Sequence, residues 1–125
     1  MNSSMKSFKD VVVWQKSYGL ALLVYELTAK FPRCEEFGLK SQLRRASVSV
    51  ISNFAEGFKR FSFKERIHYY KIAEGSLEEV KCQTMLARDL TYLTLDDYGK
   101  LEVLQEEVGR LFYGWIKAQK PQLSP

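Results

Sequence analysis

The sequence predicts an all-α protein folded as an antiparallel four-helix bundle. Residues 33–120 contain no proline, a residue that would interrupt a helix interior. Apolar residues recur at helical spacing in four segments, and short connectors separate these segments. Segments of roughly 20 to 30 residues joined by short loops favour antiparallel neighbours, so we expect up-down-up-down topology in one domain covering residues 1–125.

The first predicted helix spans residues 10–29, and the second spans residues 38–59. Aromatic residues widen the apolar face of the first helix, and such width indicates burial against more than one neighbour. The Phe31–Pro32 pair should stop this helix, because a residue before proline is pushed out of the α region.

The third predicted helix spans residues 63–93, and the fourth spans residues 95–119. The segment Ser62–Glu65 has the spacing of a capping box at the start of the third helix. Thr94 offers a hydroxyl cap for the fourth helix, and acidic residues follow in its first turn. The tail, residues 120–125, is predicted to fray.

Polar residues interrupt the apolar stripes of the second and third predicted helices. The predicted polar core consists of Asn53, Glu56, Ser76 and Glu79. Such groups fix which helices meet and in what register, so we expect hydrogen bonds between helices or subunits rather than catalytic contacts. Glycine inside a helix costs about 1 kcal/mol relative to alanine, and a close helix crossing between Gly57 and Gly75 would justify that cost.

The chain carries no recognisable pattern for catalysis or metal binding. His68 is the single histidine, and the Glu65–His68 spacing of a bundle di-iron site needs a second such pair. Cys34 and Cys82 lack CxxC spacing, and we expect both to be reduced, with Cys82 as a small core residue. Neither a nucleophile motif nor a glycine-rich phosphate loop is present. We therefore predict a protein that is not an enzyme and needs no cofactor.

Positive charge is concentrated in the first half of the chain. The formal net charge is +4, and residues 1–60 hold ten Lys and Arg against five Asp and Glu. Basic surfaces bind phosphates, so nucleic acid is the expected partner. The candidate phosphate contacts are Lys40, Arg44, Arg45, Lys59, Arg60 and Lys64.

Aromatic residues interleave with the last three of these cations, at Phe58, Phe61 and Phe63. Two interpretations stay open for them. They stack on nucleic-acid bases, or they plug the end of the bundle or a contact between subunits.

No apolar run approaches the roughly 20 residues of a membrane span, and the first ten residues lack the apolar core of a signal peptide. We therefore expect a cytoplasmic protein with no membrane partner.

Four blocks of the sequence carry a family resemblance: Phe8–Gln15, Val24–Ala46, Ser47–Gly57 and Tyr70–Gln83. They resemble the four-helix-bundle proteins encoded within intervening sequences of bacterial large-subunit ribosomal RNA genes. The NFAEG and AEGSLEE motifs, in this order and at this separation, make the resemblance specific. It implies a cytosolic bundle that assembles as a ring-like homopentamer.

A related branch is the accessory variability determinant of diversity-generating retroelements, a basic pentameric bundle that binds a reverse transcriptase and nucleic acid. The run Val108–Ile116 is similar to the last helix of that branch. The leading hypothesis is a homopentameric bundle that binds RNA or DNA, as an accessory factor to ribosomal RNA or a reverse transcriptase. The alternative is a protein-interaction scaffold without direct nucleic-acid binding.

Overall fold

The structure is a computed structural model that describes residues 5–121. Within that range the regular elements are all helical. The α-helices are α1 (Val12–Thr28), α2 (Leu39–Lys59), α3 (Phe63–Asp89) and α4 (Leu95–Ala118), with 3-10 turns at Phe8–Asp10 and Arg33–Glu35. The all-α prediction is confirmed. None of the helices in the described range is long and apolar enough to cross a membrane.

The start of α1 and the end of α3 differ most from the sequence prediction. Asp10 belongs to a capping box with Ser7 that opens the preceding 3-10 turn, so α1 begins at Val12. At the other boundary, Thr91 takes a left-handed backbone conformation with φ of 65°. The Tyr92 amide then donates to the Ala87 carbonyl at 2.9 Å, which ends the helix in a Schellman motif.

The structure describes only part of the predicted tail, residues 120–125. Residues 120 and 121 lie beyond the last helix, and residues 122–125 lie outside the described residues.

The core is formed by the inward faces of all four helices. Its largest fully buried side chains include Leu20 of α1, Phe54 of α2, Tyr70 of α3 and Phe112 of α4. Phe54 joins three of these helices, because its ring stacks on Tyr70 at 5.1 Å and meets the edge of Phe112 at 5.8 Å between centroids. Burial of each such side chain contributes about 1.5–3 kcal/mol.

Side chains connect α2 to α3 and the α1 region to α4. On α2 and α3, Ser49 lies 2.7 Å from Ser76, and Gly57 packs against Tyr70. Across α1 and α4, the Lys16 ammonium lies 3.5 Å from Glu107 and the Lys30 ammonium 3.9 Å from Asp97.

Gly57 and Gly75 occupy different surroundings. A Cβ added to Gly57 would lie 2.9 Å from Cε1 of Tyr70 and 3.0 Å from Cβ of Tyr69, so only hydrogen fits there. Gly75 is exposed, and a Cβ on it would meet nothing within 4 Å. The expected crossing between the two glycines is wrong, since Gly57 packs against tyrosine side chains instead.

The predicted polar core is divided between the helix interface and the surface. Ser76 is buried and shares a hydrogen bond with Ser49, and the Asn53 amide donates to the Ser49 hydroxyl at 3.0 Å. Glu56 and Glu79 are exposed, so placing them in a core is wrong for the single chain. Their contacts with another subunit stay a prediction.

Other residues differ from expectation as well. Cys82 is exposed rather than a core residue, because its position on α3 lies outside the buried stripe.

A buried polar pair that the sequence did not reveal joins α3 to α4. The Gln105 amide donates to the Thr84 hydroxyl at 2.8 Å, and both residues are almost completely buried.

Candidate nucleic-acid interface

The start of α1, the end of α2, the start of α3 and the end of α4 lie together. The Phe58 ring near the end of α2 lies 6.4 Å from the Trp115 ring of α4. Met5 and Val12 line an apolar groove of about 330 Å³ with Ala118 at the end of α4. The α2–α3 connection, residues 60–62, closes the same end.

This end of the molecule carries a surplus of positive charge. We define the basic end as residues 5–10, 56–66 and 117–121. Eight of its residues are basic and three are acidic. The basic residues are Lys6, Lys9, Lys59, Arg60, Lys64, Arg66, Lys117 and Lys120. The other end, residues 29–40 and 88–100, has five basic and five acidic residues, so the charge excess belongs to one end.

The carboxylates of the basic end are already engaged. Asp10 accepts the backbone amides of Lys6 and Ser7 at 3.0 and 3.1 Å. Glu56 pairs with Arg60, and this contact raises the pKa of the Arg60 guanidinium. Among the described residues, the six lysines of the basic end form no ion pair with a carboxylate. Their charge is therefore available to an external anion.

Two arginines fix the α2–α3 loop within this end. The Arg66 guanidinium donates from Nη1 to the carbonyl of Phe61 and, at 3.3 Å, to that of Arg60. The Arg60 guanidinium lies over the Tyr69 ring, 5.1 Å from its centroid. Ser62 caps α3 by accepting the Glu65 amide at 3.1 Å. The loop backbone is thus held by side chains on both of its sides.

The three aromatic residues around this loop have separate environments. Phe58 packs against Phe54 and Trp115 at the end of the bundle. Phe63 is half-buried at the start of α3. Phe61 is 88% exposed at the tip of the loop. The bundle-plugging interpretation therefore fits Phe58, while Phe61 covers no part of the bundle within residues 5–121.

The six predicted phosphate contacts fall into two groups. Lys59, Arg60 and Lys64 lie at the basic end. Lys40, Arg44 and Arg45 lie in the first half of α2, and Arg44 is about 22 Å from Lys59 at 1.5 Å rise per residue. The six residues therefore do not form one compact cluster at the basic end.

Arg44 is a structural side chain in this arrangement. Its Nε donates to the Thr28 hydroxyl at 2.9 Å, and its Nη2 donates to the Tyr25 carbonyl at 3.1 Å. Its guanidinium also lies 4.4 Å from the centroid of the Tyr25 ring. Arg44 thereby binds a terminal carbonyl of α1, where a cation is favourable, and ties α2 to α1.

Lys40 and Arg45 differ from each other in exposure. The Lys40 ammonium lies 3.0 Å from Glu36, and its side chain is largely covered. Arg45 is exposed and lines a groove of about 790 Å³ with Ser52 and Asn53. Of the three cations on this part of α2, Arg45 has the most accessible charge.

A second polar link lies at the other end of the molecule, where Glu35 joins two loops. Its carboxylate accepts the Leu39 amide at 3.0 Å and the Tyr92 hydroxyl at 2.8 Å, and these bonds lower the pKa of Glu35. The same hydrogen bond, with added burial, raises the pKa of Tyr92 to about 12.

His68 and the cysteines do not assemble into a metal site within residues 5–121. His68 is exposed, and the described range contains no group of three His, Cys, Asp or Glu side chains able to hold an ion.

The sequence did not indicate most of the basic end. Lys6 and Lys9 stand more than 100 positions from Lys117 and Lys120, and only the fold brings them to one end. In the sequence, nothing separates Arg66 from the other basic residues. Its position four residues after the Ser62 cap places it one turn into α3, where it reaches back to the loop.

The fold and the charged end define a small all-helical bundle protein with a single basic end. The chain belongs to the 23S rRNA-intervening sequence protein family, whose model matches residues 9–114. No protein with a curated description matches the chain.

A solved structure supports the fold. It is a protein of unknown function from the S23 ribosomal protein family of Bacteroides thetaiotaomicron, 24% identical in sequence. The match covers 86% of this chain and 100% of the other, with a TM-score of 0.77. At this identity the similarity establishes the four-helix fold.

Proposed function

We propose that this protein is a non-enzymatic, cytoplasmic bundle that binds RNA or DNA through its basic end. The observation that carries the proposal is the excess of five positive charges there, on lysines without carboxylate partners in the described part of the chain. A cluster of unpaired lysines binds phosphates by releasing counterions, and such binding is largely independent of base sequence.

Assembly would strengthen this activity. The proposed assembly is the ring-like homopentamer of antiparallel up-down-up-down bundles that the family resemblance implies. Exposed apolar side chains on α1, at Tyr18, Leu22 and Tyr25, support contact with another subunit. Five copies of one modest site act together through their high effective concentration, so a long polyanion is bound more tightly than a short one. Ribosomal RNA, or the nucleic acid of a reverse transcriptase, is the proposed setting.

A salt titration with matched variants tests the proposal. The doubly neutralised Lys59→Gln/Lys64→Gln protein should bind a 20-nucleotide DNA strand more weakly than the wild type. The slope of log K against log salt should become less negative by about 0.7 for each lost phosphate contact. Lys30→Gln/Arg33→Gln removes the same charge from the other end and is the control, for which we expect a smaller effect.

The opposite result selects the alternative. Negligible binding at low salt, or equal losses in both double variants, would contradict a nucleic-acid site at the basic end. The protein would then be interpreted as a scaffold that docks a reverse transcriptase or another protein.

A further inference from the structure

The tip of the α2–α3 loop presents an aromatic ring to solvent within the basic end. Phe61 is 88% exposed, whereas the neighbouring Phe58 ring is packed against Trp115. An exposed phenylalanine contributes nothing to the core, and its apolar surface is costly to leave in water. The ring is therefore available to a ligand, and its surroundings indicate which kind.

The loop backbone holds this ring in a defined position. Arg66 binds the Phe61 carbonyl, Arg60 is fixed by Glu56 and Tyr69, and Ser62 caps the next helix. Rigid presentation reduces the entropy lost when a ligand binds. The ring is thus prepared for contact rather than disordered at a loop end.

Cations flank the ring on both sides in sequence. Lys59 lies two residues before Phe61 and Lys64 three residues after it, and both are exposed. A flat apolar ring between unpaired ammonium groups is complementary to a nucleotide, since the ring matches the base face and the ammonium groups match the phosphates.

We propose that Phe61 is a stacking platform for one unpaired nucleobase and that the ligand of the basic end is a single-stranded nucleic acid. This inference rests on the proposed function and narrows it. In a duplex the base faces are covered by neighbouring pairs, so the ring has no face to stack on. A single strand, a loop or a bulge leaves base faces open.

The experiment measures fluorescence anisotropy with three probes at one salt concentration. The probes are a 20-nucleotide thymidine strand, a 20-unit abasic strand with the same phosphates, and a 20-base-pair duplex. The wild type should bind the thymidine strand more tightly than the abasic strand. Phe61→Ala should weaken thymidine binding by about 5- to 150-fold, and leave abasic and duplex binding unchanged.

Two further substitutions separate stacking from simple apolar contact. Phe61→Trp should retain thymidine binding, and the emission of the introduced tryptophan should be quenched by the thymidine strand but not by the abasic strand. Phe61→Leu keeps apolar volume without an aromatic face, and it should behave like Phe61→Ala. Because the side chain is exposed, all three variants should fold with the stability of the wild type.

Other outcomes would overturn the inference in distinguishable ways. Equal wild-type affinity for thymidine and abasic strands, with no effect of Phe61→Ala, would remove the stacking role and leave the proposed function standing. Full binding by Phe61→Leu would also exclude stacking. No binding of any probe would overturn both proposals. Phe61-dependent binding to vesicles of anionic phosphatidylglycerol, without discrimination between the two strands, would assign the ring to a membrane surface.

Discussion

Gly57 illustrates how one missing side chain sets the distance between two helices. The Tyr70 ring occupies the space that a Cβ at Gly57 would take, and Tyr69 closes the other side of the glycine. Since Tyr70 is itself buried and stacked on Phe54, its ring cannot move away without disturbing the core. The close approach of α2 and α3 at this point therefore requires a residue without a Cβ atom.

Gly57→Ala should lower the free energy of unfolding by about 1–3 kcal/mol, because overpacking outweighs the better helix propensity of alanine. Gly75→Ala is the matched control. It places the same methyl group in open space on α3, so it should raise the free energy of unfolding by up to about 1 kcal/mol. Urea denaturation of both variants measures the difference. A Gly57→Ala protein as stable as Gly75→Ala would contradict the close packing.

These two glycines also show what the sequence predicts at the residue scale. Both were visible as glycines inside helices, and a packing reason was expected for both. The sequence cannot show which of them faces the neighbouring helix, since that depends on how far α3 is rotated about its axis. Only Gly57 has the neighbour that requires it.

Arg44 acts at the scale of helical elements, because it fastens the end of α1 to the first half of α2. From the sequence it was one more cation in a basic segment. The sequence does not distinguish an arginine that binds a helix end from an arginine that is exposed to solvent. The distinction depends on where Thr28 and Tyr25 lie in the folded chain. Arg45, the adjacent residue, points into solvent.

We expect Arg44→Met to reduce stability by about 1–2 kcal/mol, since it removes the donor to the Thr28 hydroxyl and a second donor to the Tyr25 carbonyl, which keeps the Ala29 amide. Methionine keeps much of the apolar length of arginine, so the loss isolates the polar contacts. Arg45→Met removes the same charge from an exposed position and should change stability by less than about 0.5 kcal/mol. Thermal unfolding compares the two. If the pair lost equal stability, the attachment of α1 by Arg44 would be refuted.

The bond between Glu35 and Tyr92 joins the loop before α2 to the loop before α4. It makes stability depend on pH in the alkaline range. The pKa of Tyr92 is about 12 in the folded protein and about 10 for an ordinary tyrosine. The folded state therefore favours the protonated phenol. Its contribution is fully present below pH 10 and is lost as pH rises towards 12.

The stability advantage of the wild type over Tyr92→Phe should therefore shrink between pH 10 and 12. Urea denaturation at pH 8, 10 and 11.5 measures it. Burial also raises the pKa of Tyr70, so absorbance at 295 nm should show late-ionising phenols, one of which Tyr92→Phe removes. Tyr113→Phe controls for the loss of one exposed phenol. An advantage that stays constant over this range would argue against the Glu35–Tyr92 bond.

At the scale of the whole molecule, the four-helix architecture was predictable because several independent signals agree on it. The hydroxyls of Ser62 and Thr94 cap α3 and α4 by accepting the amides of Glu65 and Asp97, as their positions predict. The helix end at Asp89 was missed, since a threonine in the left-handed region has no sequence signal comparable to that of glycine.

The location of the positive charge was harder to predict from the sequence than the fold. The sequence indicated an excess in residues 1–60, whereas the structure gathers it at one end of the bundle from residues near both termini and the central loop. Half of the candidate cations, at Lys59, Arg60 and Lys64, lie there. The position of the rest depends on topology, which residue spacing alone does not give.

The proposed pentamer has a direct test. Light scattering of the purified protein at micromolar concentration should give about five times the chain mass of 14.5 kDa. The exposed stripe on α1 supplies a variant, since Leu22→Glu places charge on an apolar contact and should dissociate the assembly. Lys100→Glu, an exposed charge change at the other end, should leave it intact. A monomeric wild type would end the ring proposal.

The unequal charge of the two ends also makes the molecule an electric dipole. The α4 helix alone spans about 36 Å, so a surplus of several charges at one end produces a large moment along the bundle. In the field of a polyanion such a body rotates before it collides, and it arrives with the positive end leading. A larger fraction of the encounters then occurs in an orientation that allows binding. The arrangement of lysines would govern how fast a complex forms as well as how long it lasts.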